Sequence, residues 1–347
     1  MKRFLLPAVA AAAVLTLGGC TKTEVTSISD SAYIGFDNAY IGNPTKAVTE
    51  INKDNIQKFY VFGGPKSEYT LFTNVEVTKG QNGWTYVDQK EWEAETDYKF
   101  AAYYNDALLT NPGNVEFENS TGALKFTDFE SSPDHQADLL YDELTYRSKA
   151  EGTTNDKMQF NFRHLLSIVK FTFNSGFAEG VTVTVSDMDF YGMNSKGTAT
   201  PTENECAWTP NTQLTEGNGF SLFGDGNQNN IATSGADPTS AWDNCIVIPQ
   251  TWTDNADNHV MVAKFTVTLA GTGLDDVTTK TKKITAYLPA DTWQPGYRYN
   301  YVATISGQTM DYIEFDAPDV TKWEDEYDIN MVNDETDGND GEIVVGQ

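Results

Sequence analysis

The sequence predicts an all-β protein built from β-sandwiches, and three observations lead there. Short runs with alternating side-chain character recur along the whole chain. Gly-, Asn- and Pro-containing turn signals separate them. No window of a dozen residues carries a helical apolar stripe. Many short strands with frequent turns are the pattern of stacked antiparallel sheets.

Taken from the N-terminus, the first element is not part of the fold. Lys2 and Arg3 precede an apolar run from Phe4 to Leu17, which ends in Leu17-Gly18-Gly19-Cys20. A basic start, a short apolar stretch and a small pair before a cysteine describe a bacterial lipoprotein signal, with Cys20 as the lipidated residue. The run is short for a membrane-spanning helix, which needs about 20 apolar residues. A β-prone leader follows, with alternation from Tyr33 to Ile41.

Strands are then expected at Phe59-Tyr60-Val61-Phe62, Val75-Glu76-Val77 and Val169-Lys170-Phe171-Thr172-Phe173, then at Val181-Thr182-Val183-Thr184-Val185. Further ones fall at Lys264 to Leu269 and Tyr297 to Val302. Alternation of β-branched or aromatic residues with Thr, Lys or Asn puts one face in a core and one in water. Turns are expected at Gly63-Gly64-Pro65, Gln81-Asn82-Gly83, Asn111-Pro112-Gly113 and Pro295-Gly296. Asp138 to Leu144 is the best helical candidate but suits a strand equally. The polar segment Ser148 to Asn155 lacks alternation and marks a domain boundary. Thr209 to Ser240 is rich in Asn, Gly, Thr and Asp and reads as a surface excursion. Asn333 to Glu342 is an acidic tail expected to be disordered, followed by the apolar triplet Ile343-Val344-Val345. The resulting organisation is 1–20 signal peptide, 21–46 leader, 47–152 first sandwich and 153–347 second sandwich with its tail.

Composition narrows the function. The 347 residues carry 50 acidic and 23 basic side chains, a net of −27. Such a charge repels phosphate backbones, so nucleic acid is not an expected partner. No polybasic patch for anionic lipid exists, and membrane attachment is expected only through the lipid on Cys20. Beyond Cys20 there are two cysteines, Cys206 and Cys245, which an oxidising envelope would permit to pair. No Cys/His spacing suits zinc, so neither a metal nor another cofactor is expected.

Catalytic chemistry has little to work with. The histidines His135, His164 and His259 fall in no metal-binding or nucleophile motif. His164 shares a strand face with Phe160 and Phe162 and is expected to be hydrogen-bonded and partly buried. Asp225 to Asn230 imitates the start of a calcium loop. Asn230 replaces its glycine, and Ala236 stands where the bidentate Glu belongs. With 50 carboxylates, pairs at any chosen spacing arise by chance, so no acid/base pair is assigned. Trp84, Trp92, Trp208, Trp242 and Trp252 lie near turns and could form a sugar platform, though core packing explains alternating aromatics better. The chain reads as a non-enzyme.

One ordered set of motifs remains. After the lipid box come Ala32-Tyr33-Ile34-Gly35-Phe36, Thr45-Lys46-Ala47 and Asn55 to Gly63. Tyr98 to Tyr104, Asp138-Leu139-Leu140-Tyr141 and Met158 to Ser167 follow. The C-terminal half adds Trp293 to Tyr301, Ile313-Glu314-Phe315 and Val320-Thr321-Lys322-Trp323. In this order they resemble a fimbrillin-type pilin precursor, the subunit class of lipoprotein-derived type V pili. The resemblance implies two transthyretin-like Greek-key β-sandwiches in tandem. It implies an outer-membrane lipid-anchored (palmitoylated) precursor and a cell-surface fimbrium as the mature form. It also implies a trypsin-like protease that cuts after a basic residue, here between Lys46 and Ala47. Release of the leader would open a groove for a strand from another pilin subunit. Donor candidates are Asp311 to Phe315, Tyr327 to Met331 (with Ile329 and Met331) and Ile343, Val344 and Val345. For Tyr312 to Phe315, an ordinary strand of the second domain is the better reading. The alternative is a surface lipoprotein or tip subunit that binds a host glycan or protein, with Thr209 to Ser240 as its recognition loop.

Overall fold

The computed structural model of the chain describes residues 32–37, 40–41, 55–105, 114–177, 180–223, 229–231, 245–254, 259–271, 274, 279–307, 310 and 313–323. They are strands, turns and loops, as the alternation predicts. In chain order the first strands are β1 (Tyr40–Ile41), β2 (Lys58–Pro65), β3 (Phe72–Gly80), β4 (Gly83–Thr85), β5 (Asp97–Tyr104), β6 (Val115–Glu118), β7 (Ala123–Glu130) and β8 (Leu140–Arg147). Next come β9 (Asn161–His164), β10 (Ser167–Ser175), β11 (Val181–Tyr191), β12 (Asn194–Pro201), β13 (Cys206–Gln213), β14 (Phe220–Leu222), β15 (Asn229–Ile231) and β16 (Cys245–Val247). The last are β17 (Thr251–Trp252), β18 (Val262–Gly271), β19 (Thr279–Tyr287), β20 (Asp291–Thr292), β21 (Tyr297–Ile305) and β22 (Asp319–Lys322).

Four larger sheets organise these strands. The first runs β1-β9-β8-β5-β2-β3-β4. The second runs β13-β12-β7-β6, the third β16-β10-β21-β22 and the fourth β14-β11-β18-β19, with β15 also on β11. A small β17-β20 pair completes the set. Three cores lie between them. One fills the third and fourth sheets around Phe171, Phe173, Val183, Phe265 and Tyr301. The other two lie on opposite faces of the first sheet.

That second arrangement differs from the simple picture of one dry and one wet face. In β2, Phe59 and Val61 point into one core while Tyr60 and Phe62 point into the other. β5 divides Phe100 and Ala102 from Ala101 and Tyr103 in the same way. A strand buried on both faces must be apolar on both, which is why Phe59-Tyr60-Val61-Phe62 has no polar alternate.

Strand pairing also crosses the boundary expected at residues 152/153. β9 joins β8 through Leu140↔His164, and β12 joins β7 through Lys196↔Glu130. Alternation reports which face is buried, not which strand lies alongside, so this knitting has no local signal.

Other local expectations sort by mechanism. Gln81-Asn82 forms the tight β3–β4 hairpin, with Gly80 opposite Gly83. Gly63-Gly64-Pro65 does not turn; it ends β2 beyond an irregularity between Val61 and Gly63. Gly63 has φ 137°, and a Cβ there would lie 2.2 Å from the Lys99 carbonyl oxygen. The glycine permits close approach of β5 rather than a change of direction. Asp138 to Leu144 resolves to strand, with β8 starting at Leu140. Thr209 to Ser240 is not wholly a surface excursion, because β13, β14 and β15 take parts of it. Asn111 to Gly113 and the acidic tail lie outside the described residues.

Candidate functional site

The N-terminal leader lies in a groove of the first sheet's core and is bonded along both sides. On one side it runs antiparallel to the 88–92 segment, with Tyr33 opposite Glu91. Ile34 N–H donates to Lys90 O at 2.7 Å, and Trp92 N–H donates to Ala32 O at 3.0 Å. On the other side it runs parallel to the chain entering β9, with Phe36 opposite Met158. Asp37 N–H donates to Met158 O, and Met158 N–H donates to Gly35 O, both at 2.8 Å. β1 continues this parallel pairing as Tyr40↔Asn161 and Ile41↔Phe162.

Period-2 geometry then decides the side chains. Ile34 and Phe36 point into the core, each 1% exposed. The Phe36 ring centroid lies 5.6 Å from Tyr86, 5.7 Å from Phe72, 5.9 Å from Phe59 and Phe160, and 6.4 Å from Phe100. Four contacts are edge-on and the Phe160 contact is stacked, the arrangements favoured by ring quadrupoles. Tyr86 Oη donates to Ile34 O at 2.8 Å and accepts from Lys90 N–H at 3.0 Å. Burial holds its phenol above the ordinary range. At the parallel edge, Asp142 accepts the Asn161 N–H at 2.7 Å. Burial pushes that carboxyl up to about 6.

Chemically, this arrangement holds a β-strand by backbone bonds on two sides and apolar pegs on one face. Take the strand away and both edges lose partners over an apolar trough. Of the groove walls, Met158 to Phe162 lies within the ordered motif set and Lys90 to Trp92 contains the marked Trp92, but neither shows from the sequence that it flanks the leader. The expected processing residues Lys46 and Ala47, and Cys20, lie outside the described residues. They fall, respectively, between the leader and Asn55 and ahead of the leader.

The C-terminal boundary is also built. β22 pairs antiparallel with β21 from Tyr297↔Lys322 to Asn300↔Asp319, leaving its own side chains exposed. Trp323 then turns inward and is fully buried. Its backbone N–H donates to Gly296 O at 2.8 Å. Its ring stacks on His164 at 4.1 Å and 4°, and the Arg298 guanidinium lies 6.0 Å from the ring. His164 Nδ1 pairs with Asp138 Oδ2 at 2.8 Å, with side chains 1% and 0% exposed. The hydrogen-bonded, buried state expected of His164 is therefore observed. Asp138 lies on a different element, so the sequence could not name it as the partner.

The donor candidates divide. Ile313 and Phe315 are buried in their own core, and Phe315 bridges Ala303, so this segment is a regular part of the second half. Ile329, Met331, Ile343, Val344 and Val345 lie outside the described residues.

No disulfide joins Cys206 and Cys245 in the structure. Cys206 opens β13 and packs against the core under the second sheet, whereas Cys245 lies in the core between the third and fourth. Burial pushes the Cys206 thiol up to about 12.

The remaining candidates do not converge. His135 is exposed beside Ser132 and Glu130, and His259 pairs with Asp254 at 3.0 Å. Among the described residues no cluster of three potential metal ligands occurs. Asn229 and Asn230 of the calcium-like stretch belong to β15. Trp84, Trp92 and Trp208 pack half-buried on Phe59, Tyr98 and Phe129. Trp252 is buried against Trp293; Trp242 lies outside the described residues.

One solved structure superposes on this architecture. A fimbrial protein from Bacteroides vulgatus ATCC 8482 superposes with a TM-score of 0.55 at 16% identity, covering 84% of this chain and 99% of the other. A fimbrial assembly protein from Parabacteroides distasonis ATCC 8503 gives a TM-score of 0.39 at 13% identity, covering 82% and 97%. No curated protein matches the sequence significantly. The sequence model of the fimbrillin-like family matches residues 45–323, so the chain belongs to the fimbrillin-like family.

Proposed function

We propose that this chain is a pilus subunit whose leader strand is a removable plug. It is made as a lipoprotein anchored in the outer membrane at Cys20. A protease cuts between Lys46 and Ala47, and the strand at 32–41 leaves its groove. A C-terminal strand of another subunit replaces it. Family membership supports the pilus role and a cell-surface location.

The observation that carries the finer reading is the two-sided bonding of the leader. A segment upstream of Thr45-Lys46-Ala47 supplies two buried pegs and both inner edges of one core. Once cut, it is held by noncovalent contacts alone. The matched family region, 45–323, likewise excludes both the leader and the C-terminal segment. Tyr327-Asp328-Ile329-Asn330-Met331 repeats the i, i+2 spacing of Ile34 and Phe36, as Ile343 and Val345 also do, but alternates polar with apolar residues as a strand with one buried face requires, and is the preferred donor. A head-to-tail contact of this kind does not close on itself and so grows a filament.

N-terminal sequencing of the protein recovered from the cell surface tests the reading. A start at Ala47 is expected. A blocked start at Cys20 in polymerised material refutes removal of the leader.

A further inference from the structure

We infer that the cleft at the foot of β22 receives Glu324, Asp325 and Glu326 of the same chain, with the Glu324 carboxylate on the Arg163 guanidinium. The cleft measures about 580 Å³. Arg163 and residues 204–206 line one part of it, residues 294–297 another, and Lys322 stands among them. Arg163 is held there by neutral acceptors. Its Nη1 donates to Glu203 O and its Nη2 to Glu205 O, both at 2.9 Å, and Nη2 also reaches Thr202 O. The guanidinium lies 5.7 Å from the Tyr141 ring centroid. Carbonyls and a ring face fix a guanidinium in place without cancelling its charge. Asp142, whose carboxyl senses Arg163, is engaged with the Asn161 N–H. Among the described residues no carboxylate forms an ion pair with Arg163 or Lys322.

Connectivity and charge select the occupant. β22 runs into the cleft: Lys322 lines it, and the bond from the Trp323 backbone N–H to Gly296 O ties the next residue to its wall. Trp323 turns inward, so in an extended continuation Glu324 returns to the face of Lys322. Glu324 follows Trp323 directly, and Asp325 and Glu326 come next. That sets three carboxylates within about 10 Å of chain, at roughly 3.3 Å per residue. Among the lining residues Glu205 is the one acid, against the two cations Arg163 and Lys322. A free anion in solution competes poorly with carboxylates tethered beside the cleft. If Tyr327 to Met331 is the donor strand, this docking fixes the point from which it departs; that consequence rests on the proposed function, and the docking itself does not.

Cys206 lines the same cleft, so the protein carries its own probe. In the full chain, E324C should form a disulfide with Cys206 under mild oxidation at alkaline pH, which a thiol raised by burial requires. Peptide mapping of the monomer reads the link, and E335C, further along the tail, is the comparison. A second measurement leaves the backbone and the probe unaltered. With the native acids in place, Cys206 should react with a small thiosulfonate reagent about threefold more slowly than in E324Q/E326Q, the modest effect that exposed ion pairs support. The difference should close at about 1 M salt, where the screening length drops to about 3 Å. E324C linking to Cys206 no more than E335C does, or a Cys206 reaction rate unchanged by E324Q/E326Q, would overturn the proposal and leave the cleft a water-filled seam. Neither readout needs a cut at Lys46 or a second subunit, so strand exchange stands or fails separately.

Discussion

Phe36→Ala in the uncleaved precursor tests the leader groove most directly. The ring is 1% exposed and lies against five aromatic rings. Truncation of a buried Phe in such a setting costs about 3–5 kcal/mol. For a unit of this size each kcal/mol moves the melting temperature by about 2–4 °C, so the transition should fall by roughly 6–20 °C. Scanning calorimetry of the precursor reads that shift.

Under the proposed function the same loss has a second reading, after a cut at Lys46. A severed leader held about 3–5 kcal/mol less tightly dissociates roughly two to nearly four orders of magnitude more readily. Size exclusion with mass detection shows whether the leader stays with the body. Wild-type protein should retain it and F36A should lose it. Polymers assembled from the two precursors should melt alike, because the altered residue has left with the leader. A precursor shift below about 1 kcal/mol, or a difference that persists in the polymer, refutes the reasoning.

His164→Ala strips a fully buried Asp138 of its partner and Trp323 of its stacking surface, and should cost about 3–5 kcal/mol in urea denaturation; a loss under about 1 kcal/mol would show that the pair is dispensable. Asp142 gives a pH dependence. Its folded carboxyl is raised from 3.8 to about 6, so the native state binds the proton more tightly than the unfolded chain. The associated stability is complete below about pH 4 and declines as pH rises through about 6. Asp142→Asn still accepts the Asn161 N–H but never ionises, so it should match wild type at low pH and gain on it above pH 6. The gain is at most about 3 kcal/mol and roughly 1 kcal/mol after solvent screening. Denaturant midpoints of the two proteins across that window check it, and parallel curves would rule it out.

The second half of the chain was the more legible. Val181 to Val185, Lys264 to Leu269 and Tyr297 to Val302 each keep a wetter face, so alternation shows both the strand and its buried side. Phe59 to Phe62 reads as a strand, but two buried faces erase the polar beat that would say which side faces what. Gly63 misleads because glycine serves equally for turning and for close approach, and only the Lys99 carbonyl decides between them. The site was half legible. Alternation at Tyr33 to Ile41 marked the leader as strand-like, and the neighbours of His164 marked it as buried. Its partner Asp138, the stacking of Trp323 and the two groove walls are contacts between distant segments, and no local pattern carries them. The same holds for the thiols: nothing in the spacing of Cys206 and Cys245 shows that they face different cores.

Under the proposed function, the covalent link between leader and body is what times assembly. While residues 42–54 connect them, the leader competes for its groove as an intramolecular ligand, at an effective concentration of order millimolar for a short linker. A donor strand from another subunit, present at far lower concentration, must beat that advantage as well as the pegs Ile34 and Phe36. Cleavage after Lys46 removes the advantage without altering one contact in the groove. The leader then becomes an ordinary bimolecular ligand that dilutes away on release, while the donor arrives tethered to a folded subunit whose own tail departs from beyond Trp323. The vacated groove has two unpaired edges and an apolar trough, and water satisfies neither arrangement well. Capture of a strand in trans is therefore favoured only after the cut. The same bonding that makes the precursor stable makes the cleaved subunit assembly-competent.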